Sequence, residues 1–287
     1  MVIPIGPLPA LPRRPVSSHK GTFGTSLIVG GSRGMAGAVA LAGLSALRGG
    51  SGLVFVAAPE SVCSIIAAAE PSYLTVSLNE DSAGQLTMAS LSAIQKQLDR
   101  CTAVGIGPGL GESSLLDQLI ASLYTETPQP LVVDADALNA LARQPEIIAQ
   151  HQGPRILTPH PGEMSRLAQT TTQDVQENRE SLAKVFAREH NCIVVLKGHG
   201  TIVSDGVRLC INTTGNSGMA TGGSGDVLTG LITSLLAQGM QPFEAAQLAV
   251  HVHGKAGDLA AEHFGKHGLI ASDLPYYVAM ALKDLET

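Results

Sequence analysis

Residues 218–226 read GMATGGSGD and run directly into VLTGLITSLLAQG. In the second stretch Val227, Leu228, Leu231, Ile232, Leu235 and Leu236 recur at helical spacing, so the four glycines and the acid sit at a helix N-terminus. The first N–H groups of a helix lack intrahelical partners, and the macrodipole places roughly half a positive charge there. A loop without side chains lets an anion approach those donors, and a phosphate is the ligand that suits them. The alternative is that Asp226 is only the N-cap of the helix.

Four other loops carry residues of the same kind, each directly after a β-rich run. GGSRGMAGA, from Gly30 to Ala38, lies between a strand and a helix but lacks both the spacing of a dinucleotide fingerprint and the GK[ST] of a Walker loop. GIGPGLG, from Gly105 to Gly111, offers backbone amides to a ligand, or is a structural turn. VVDADALNAL places Asp134 and Asp136 at a strand end, where they could orient a magnesium-bound water or a ligand hydroxyl, although capping explains one of them as well. LTPHPGEMSRL fixes His160 between Pro159 and Pro161 with Glu163 three residues on, either to meet a ligand with little entropy loss or as an exposed loop tip. KGHGT, from Lys197 to Thr201, is a turn whose lysine could stand beside phosphates or merely end a strand in solvent.

These loops need a frame. Short β-rich runs at SLIVGG, LVFVAA, LTVSL, TAVGIG, LVVDAD, RILTP and CIVVLKG alternate with helical patterns such as GAVALAGLSALRGG, MASLSAIQKQLDR, SSLLDQLIASLY and VQENRESLAKVFAREH. That alternation predicts an α/β fold around a mainly parallel sheet, and the nearly continuous apolar strands predict a sheet covered on both faces. CIVVLKG, TIVSDG and VRLCINT follow one another with only turn residues between, which predicts an antiparallel edge. Helical patterns follow from about Pro242 to His263 and from Ser272 to Leu285. Ligands of open α/β sheets bind beyond the carboxyl ends of the strands, where all five loops fall. One domain over residues 21–287, preceded by an extended Pro-rich arm over residues 1–20, is the economical reading.

Composition narrows the partners. The 287-residue chain is 44% hydrophobic and 15% charged, as expected of a globular protein, with a net charge of −6 that argues against nucleic acid. Aromatic residues make up only 3%, too few for a stacking platform. Cys63, Cys101, Cys192 and Cys210 form no CxxC pair and read as reduced thiols in a cytoplasmic setting. No stretch approaches the roughly 18 apolar residues of a membrane span, and no signal peptide is evident.

From about His19 to Ala281 the chain resembles the ADP/ATP-dependent NAD(P)H-hydrate dehydratases. HKGTFGTSLIVGGSRGMAGAVALAGLSALRGGSGLV, GIGPGLG, VVDADALNAL, LTPHPGEMSRL, LKGHGTIVSDG and NSGMATGGSGDVLTGLI stand in the family's order and spacing. The resemblance implies a three-layer α/β/α ribokinase-like fold and repair of a damaged cofactor. In that reaction the S form of NADHX or NADPHX, hydrated at C6 of the nicotinamide ring, returns to NADH or NADPH at the expense of ADP or ATP, with Mg2+ accompanying the nucleotide. Phosphoryl transfer to the ring hydroxyl makes it a leaving group, and loss of phosphate restores the double bond. By resemblance Lys197, Gly198, His199, Gly200 and Thr201, with Asn216, Ser217, Gly218, Met219 and Ala220 and then Thr221, Gly222, Gly223, Ser224 and Gly225, hold the adenine nucleotide. Asp226 stands where the superfamily's catalytic base touches the substrate hydroxyl, while Ala38, Gly107 or Gly109, and His160 match positions that contact NAD(P)HX.

The resemblance also implies a homo-oligomer, a tetramer. His160-Pro-Gly-Glu163 stands where ribokinase-like kinases often carry Asn-x-x-Glu, so no residue is assigned as a metal ligand. Many bacterial relatives carry an epimerase domain ahead of this one, for which this chain has no room; it is either a stand-alone dehydratase or an excised domain. A kinase for a small vitamin-related alcohol is the nearest rival reading, and a non-catalytic nucleotide-binding module a more distant one. A Rossmann oxidoreductase is disfavoured because LVFVAA ends at Ala57 and Ala58 and not in an acid.

Overall fold

A computed structural model describes residues 8–286. Along the chain β1 (Thr25–Val29) leads to α1 (Ala36–Arg48), β2 (Leu53–Pro59) to α2 (Glu60–Ala69), and β3 (Leu74–Leu78) to α3 (Leu91–Leu98). Then β4 (Ala103–Ile106) leads to α4 (Ser114–Glu126), β5 (Leu131–Val133) to α5 (Ala135–Ala142), and β6 (Arg155–Leu157) to α6 (Pro161–Leu167), α7 (Thr172–Glu177) and α8 (Arg179–Glu189). The strands β7 (Ile193–Leu196), β8 (Ile202–Ser204) and β9 (Leu209–Ile211) precede α9 (Ser224–Ala237), α10 (Pro242–Gly268) and α11 (Leu274–Lys283).

The strands form one nine-stranded sheet in the order β3-β2-β1-β4-β5-β6-β7-β8-β9. Every pairing up to β7 is parallel, whereas β7–β8 and β8–β9 are antiparallel, so the expected edge is present. The inner strands are buried on both faces, which explains their unbroken apolar runs. β1 shows the division of the core: Leu27 and Val29 join the side chains of α3 to α8, while Ile28 faces α1 and α2. α9, α10 and α11 cover the β4–β9 part of that second face. Three layers result.

The chain leaves β1 toward β2 and β3 on one side and resumes at β4 on the other, so the loops after β1 and β4 part at a topological switch point. They are tied together there: Gly31 N–H donates to Pro108 O at 2.8 Å, and Ser32 Oγ to Gly109 O at 2.8 Å.

Several elements differ from expectation. α2 was not expected, since it buries only Val62 and Ile66 and leaves little periodic signal. The helical pattern at 175–190 breaks at Asn178, whose φ of −125° is not helical, giving α7 and α8. α10 runs five residues beyond His263, with a kink at Gly265 (φ 71°), and a 3-10 turn over Ala271–Asp273 precedes α11. The pattern at 88–100 begins as a 3-10 turn, Met88–Ser90. In the arm, residues 8–15 carry no helix or strand, and residues 1–7 lie outside the described residues. Leu11 packs against the α9–α11 core, and Arg14 stacks over the Phe23 ring, 3.9 Å from its centroid, while donating to Gly50 O.

Candidate active site

The five loops lie at the carboxyl ends of β1 and of β4 to β7, on the side of the sheet where α9 begins. The turn into α9 is made by Gly223, whose φ of 96° is open to glycine at little cost, and Gly223 is the N-cap. Asp226 is therefore not the cap; it is the third helical residue, and among the described residues no hydrogen bond holds its carboxylate. The capping alternative fails because the left-handed bend, which glycine takes at least cost, sits at Gly223 and puts the cap three residues ahead of the acid. Burial pushes the Asp226 carboxyl up to about 7, and the nearby Asp134, Asp136 and Glu163 charges add to this while Lys197 opposes it. Such a group exists in both protonation states near neutral pH, as suits a general base.

Lys197, at the end of β7, reaches back into this cluster. Its Nζ lies 2.6 Å from Asp134 Oδ1 and 3.7 Å from Glu163 Oε2. Burial depresses the ammonium, but Asp134, Glu163 and Asp226 outweigh it and hold Lys197 above the ordinary lysine range. Asp134, 1% exposed, also accepts from Thr229 Oγ1 at 2.7 Å; burial pushes its carboxyl up, but Lys197 and Thr229 bring it below the ordinary value. Lys197 is thus neither solvated nor free. A Cβ on Gly225 would lie 3.3 Å from Lys197 Nζ, so the bare face of the first α9 turn borders this cation. At Gly222, by contrast, a Cβ would meet nothing within 4 Å.

His160 is the N-cap of α6 and part of a capping box: its Nδ1 accepts from Gly162 N–H (3.0 Å) and Glu163 N–H (3.3 Å), while Glu163 Oε2 accepts from His160 N–H (2.7 Å). Burial, with Lys197 and Arg166 nearby, lowers its pKa, so the ring is neutral at pH 7. Because Nδ1 accepts, the proton resides on Nε2, 3.4 Å from Glu163 Oε1. The ring is half exposed and presents a donor, not a base.

On the switch-point side a Cβ on Gly109 would lie 3.1 Å from Ala38 Cβ, so these two positions touch. Gly107 differs: with φ 130°, a Cβ there would overlap the Asp134 carbonyl oxygen, and its role is close backbone approach. Asp136 accepts from Gly111 N–H at 2.8 Å, linking the β4 and β5 loops.

The remaining loop residues are braced by groups that the sequence reading did not single out. Arg179 Nη2 donates to Leu196 O, Lys197 O and Gly200 O at 3.1–3.4 Å, bracketing KGHGT, in which Thr201 Oγ1 donates to Gly198 O. His199 is exposed. Asn216 caps the 3-10 turn Ser217–Met219 and donates to Gly257 O and Asp258 Oδ1 of α10, while Gly215 N–H donates to Asp258 Oδ2. Gly218 packs against Lys266, Met219 fills the space beside Gly257, and Ala220 and Thr221 lead into the cap. No local motif marks Arg179 or Asp258; helical position alone brings them there. Burial lowers His253 of α10 to about 4, and the ring lies beside the Ser224 backbone with its Nε2 unpartnered. Among the described residues no group of three or more His, Cys, Asp or Glu side chains can hold a metal ion.

The open, mainly parallel sheet with its antiparallel edge is the fold of a ribokinase-like superfamily protein from Enterococcus faecalis, which superposes with a TM-score of 0.82 at 24% identity, covering 96% of this chain and 92% of that one. The chain belongs to the NAD(P)H-hydrate dehydratase family, whose model matches residues 26–278. It is 45% identical over 278 residues to a bifunctional NAD(P)H-hydrate repair enzyme of Moorella thermoacetica, covering 96% of this chain and 52% of that protein. The chain therefore spans about half the length of the bifunctional relatives it matches. It is 39% identical over 267 residues to the ADP-dependent (S)-NAD(P)H-hydrate dehydratase of Neisseria meningitidis, covering 91% of this chain and 86% of that one. The ADP/ATP-dependent NAD(P)H-hydrate dehydratase from Bacillus subtilis, co-crystallised with ATP/Mg2+, superposes with a TM-score of 0.82 at 32% identity, covering 96% of this chain and 95% of that one.

Proposed function

We propose that the chain converts (S)-NADHX and (S)-NADPHX to NADH and NADPH at the expense of ADP or ATP, with Asp226 as general base. The observation that carries this reading is an acid raised to about 7, beside a lysine and in the first turn of a glycine-capped helix. An acid that only capped the helix would need neither burial nor a neighbouring cation.

Asp226 takes the proton of the C6 hydroxyl as its oxygen attacks the terminal phosphoryl group of the nucleotide, and the bond to the nucleotide breaks to give AMP from ADP or ADP from ATP. The C6–O bond then breaks with assistance from the ring nitrogen, phosphate departs, and loss of a proton from C5 restores the double bond. The Gly225 and Asp226 amides of the first α9 turn and the Lys197 ammonium stabilise the phosphoryl charge. Ala38 and Gly109, which touch each other, and His160, with Nε2–H as a donor, are assigned to the nicotinamide half of the substrate. Gly107 is better read as the clamp on Asp134.

Lys197–Thr201 and Asn216–Gly225 form the nucleotide side. Among the described residues no group of three metal-binding side chains is assembled, and Asp134 is committed to Lys197 and Thr229; Mg2+ would be held by the nucleotide phosphates. Residues 21–287 act as one domain with residues 1–20 as its arm, in the cytoplasm; among the described residues no helix is long and apolar enough to cross a membrane. Self-association as a tetramer is part of the proposal, favoured by exposed Ile65 and Leu74 beside the β3 edge and by Tyr276 and Met280 on α11. Light scattering reads the oligomeric state, and a monomer at micromolar concentration would refute it.

The deciding assay incubates the protein with acid-generated NADHX or NADPHX and ADP or ATP, and follows recovery of reduced-nicotinamide absorbance. Recovery that requires nucleotide supports the reading; no recovery with either nucleotide overturns it. Phosphorylation of hydroxyethylthiazole or hydroxymethylpyrimidine in place of recovery would point to the kinase alternative.

A further inference from the structure

Asp134 takes no part in the steps above, yet it is the most thoroughly enclosed acid of the site. It occupies the N-cap position of α5, but its side chain makes no capping bond and turns instead to Lys197 and Thr229. The next residue, Ala135, has φ 50°, a conformation rarely adopted by a residue with a Cβ, and the Asp134 carbonyl abuts Gly107 of the β4 loop. A capping acid needs none of this, since capping uses the extended conformation that Asp134 already has. The surroundings aim the carboxylate at the lysine.

We propose that Asp134 is a positioning residue that holds the Lys197 ammonium between Asp226 and the bare face of Gly225, so that one cation serves both the base and the phosphoryl group in transfer. The inference rests on the reading of Asp226 as the base. The charged and titratable groups around that base are Asp134 at the end of β5, Asp136 on α5, His160 and Glu163 at the start of α6, Lys197 after β7, and His253 on α10. Asp134 and Lys197 are the closest opposite charges among them, at 2.6 Å, and the next carboxylate oxygen lies 3.7 Å from Nζ. Without Asp134 the lysine keeps only that longer contact and leaves its line to Gly225.

The test is the pH dependence of kcat/KM for NADHX at saturating ADP in wild type, Asp134→Asn and Thr229→Val. In wild type the acid limb follows ionisation of Asp226. Asp134→Asn removes a negative charge beside the base and leaves Lys197 less compensated, so the limb is expected to move down by about one pH unit. Its plateau kcat is expected to fall at least roughly tenfold, because the cation is no longer held where phosphoryl charge develops. Thr229→Val loosens the same buried cluster without changing charge, so its limb should stay within about 0.3 of a unit of wild type. An unmoved limb in Asp134→Asn, or an equal shift in Thr229→Val, overturns the inference. If Asp134→Asn does not fold, 15N NMR of the wild-type lysine ammonium groups decides. A Lys197 signal persisting above pH ~10 supports the anchor, and a neutral Lys197 at pH ~8 overturns it. Absence of any wild-type turnover would instead strike at the proposed function.

Discussion

Two enclosed cations, Arg155 buried and Lys197 partly buried, stand at opposite ends of neighbouring strands, and their partners differ in kind. Arg155 opens β6 at the amino end of the sheet, 1% exposed, and gives its donors entirely to main-chain oxygens: Tyr124 O at 2.9 and 2.5 Å, Thr127 O at 2.6 Å, and Gln129 O and Pro154 O at 3.2 and 3.1 Å. Burial lowers its pKa to about 10, which leaves it charged at neutral pH. Lys197 closes β7 at the carboxyl end and faces three carboxylates, one of them raised to about 7. The arginine ties off carbonyls that burial would otherwise orphan, whereas the lysine leaves a proton that can move. Shielding of a charge from solvent is common to both; only the titratable partners mark the functional end.

The largest expected effect lies at the lysine end. Asp226→Asn should lose about 10²–10⁴-fold in kcat while binding ADP about as well, read by steady-state kinetics and calorimetry. More than about a tenth of wild-type kcat, with chemistry rate-limiting, would remove Asp226 from the base role. Its stability carries a sign as well. A carboxyl raised to about 7 contributes stability that is present below the ordinary carboxyl value and lost as pH rises through about 7. Asp226→Asn should therefore melt no lower than wild type at pH 8, with that advantage shrinking toward pH 5; a variant that melts well below wild type at pH 8 would mean that the carboxylate is structural.

At the other end Arg155→Met should cost about 3 kcal/mol or more, because it leaves several buried carbonyls without donors. Chemical denaturation reads that loss, and kcat of the folded protein at 25 °C should stay within about twofold, since no site residue contacts the arginine. A kcat loss without a stability loss would break the comparison. Gly225→Val places a side chain against Lys197 and over the first-turn amides, and should weaken ADP binding at least about tenfold in calorimetry, with Tm little changed. Unchanged affinity in a folded variant would move the phosphates elsewhere. The smallest effect is expected for His160→Ala: a several-fold rise in KM for NADHX exceeding that for ADP, together with about 1 kcal/mol of stability from the lost α6 cap. An equal rise for both substrates would leave His160 as a cap alone.

Features that depend on near neighbours in the chain were legible in the residues. Apolar periodicity and turn residues sufficed for the parallel strands, the antiparallel edge and the helix after the glycines, because each is decided within a few residues. The loops at strand ends could be gathered into one site because parallel topology sends every carboxyl end the same way. Near-neighbour signals also misled: α2 hides in a weakly periodic run, and Asp226 fits an N-cap preference that Gly223 takes by its backbone conformation.

What tertiary structure alone decided are the roles inside the site. Asp134 meets a lysine 63 residues away and a threonine 95 away, and nothing in VVDADALNAL tells a capping acid from one that turns its back on its helix. Lys197 reads as a solvated strand end until β5 and β6 stand beside β7 and bring Asp134 and Glu163 to it. The raised Asp226 carboxyl is likewise a sum over burial and charges from separate strands and helices. Residue type and spacing determine which groups can carry charge; which of them hold it at neutral pH depends on the dielectric and the neighbours, and those exist only once the chain has folded.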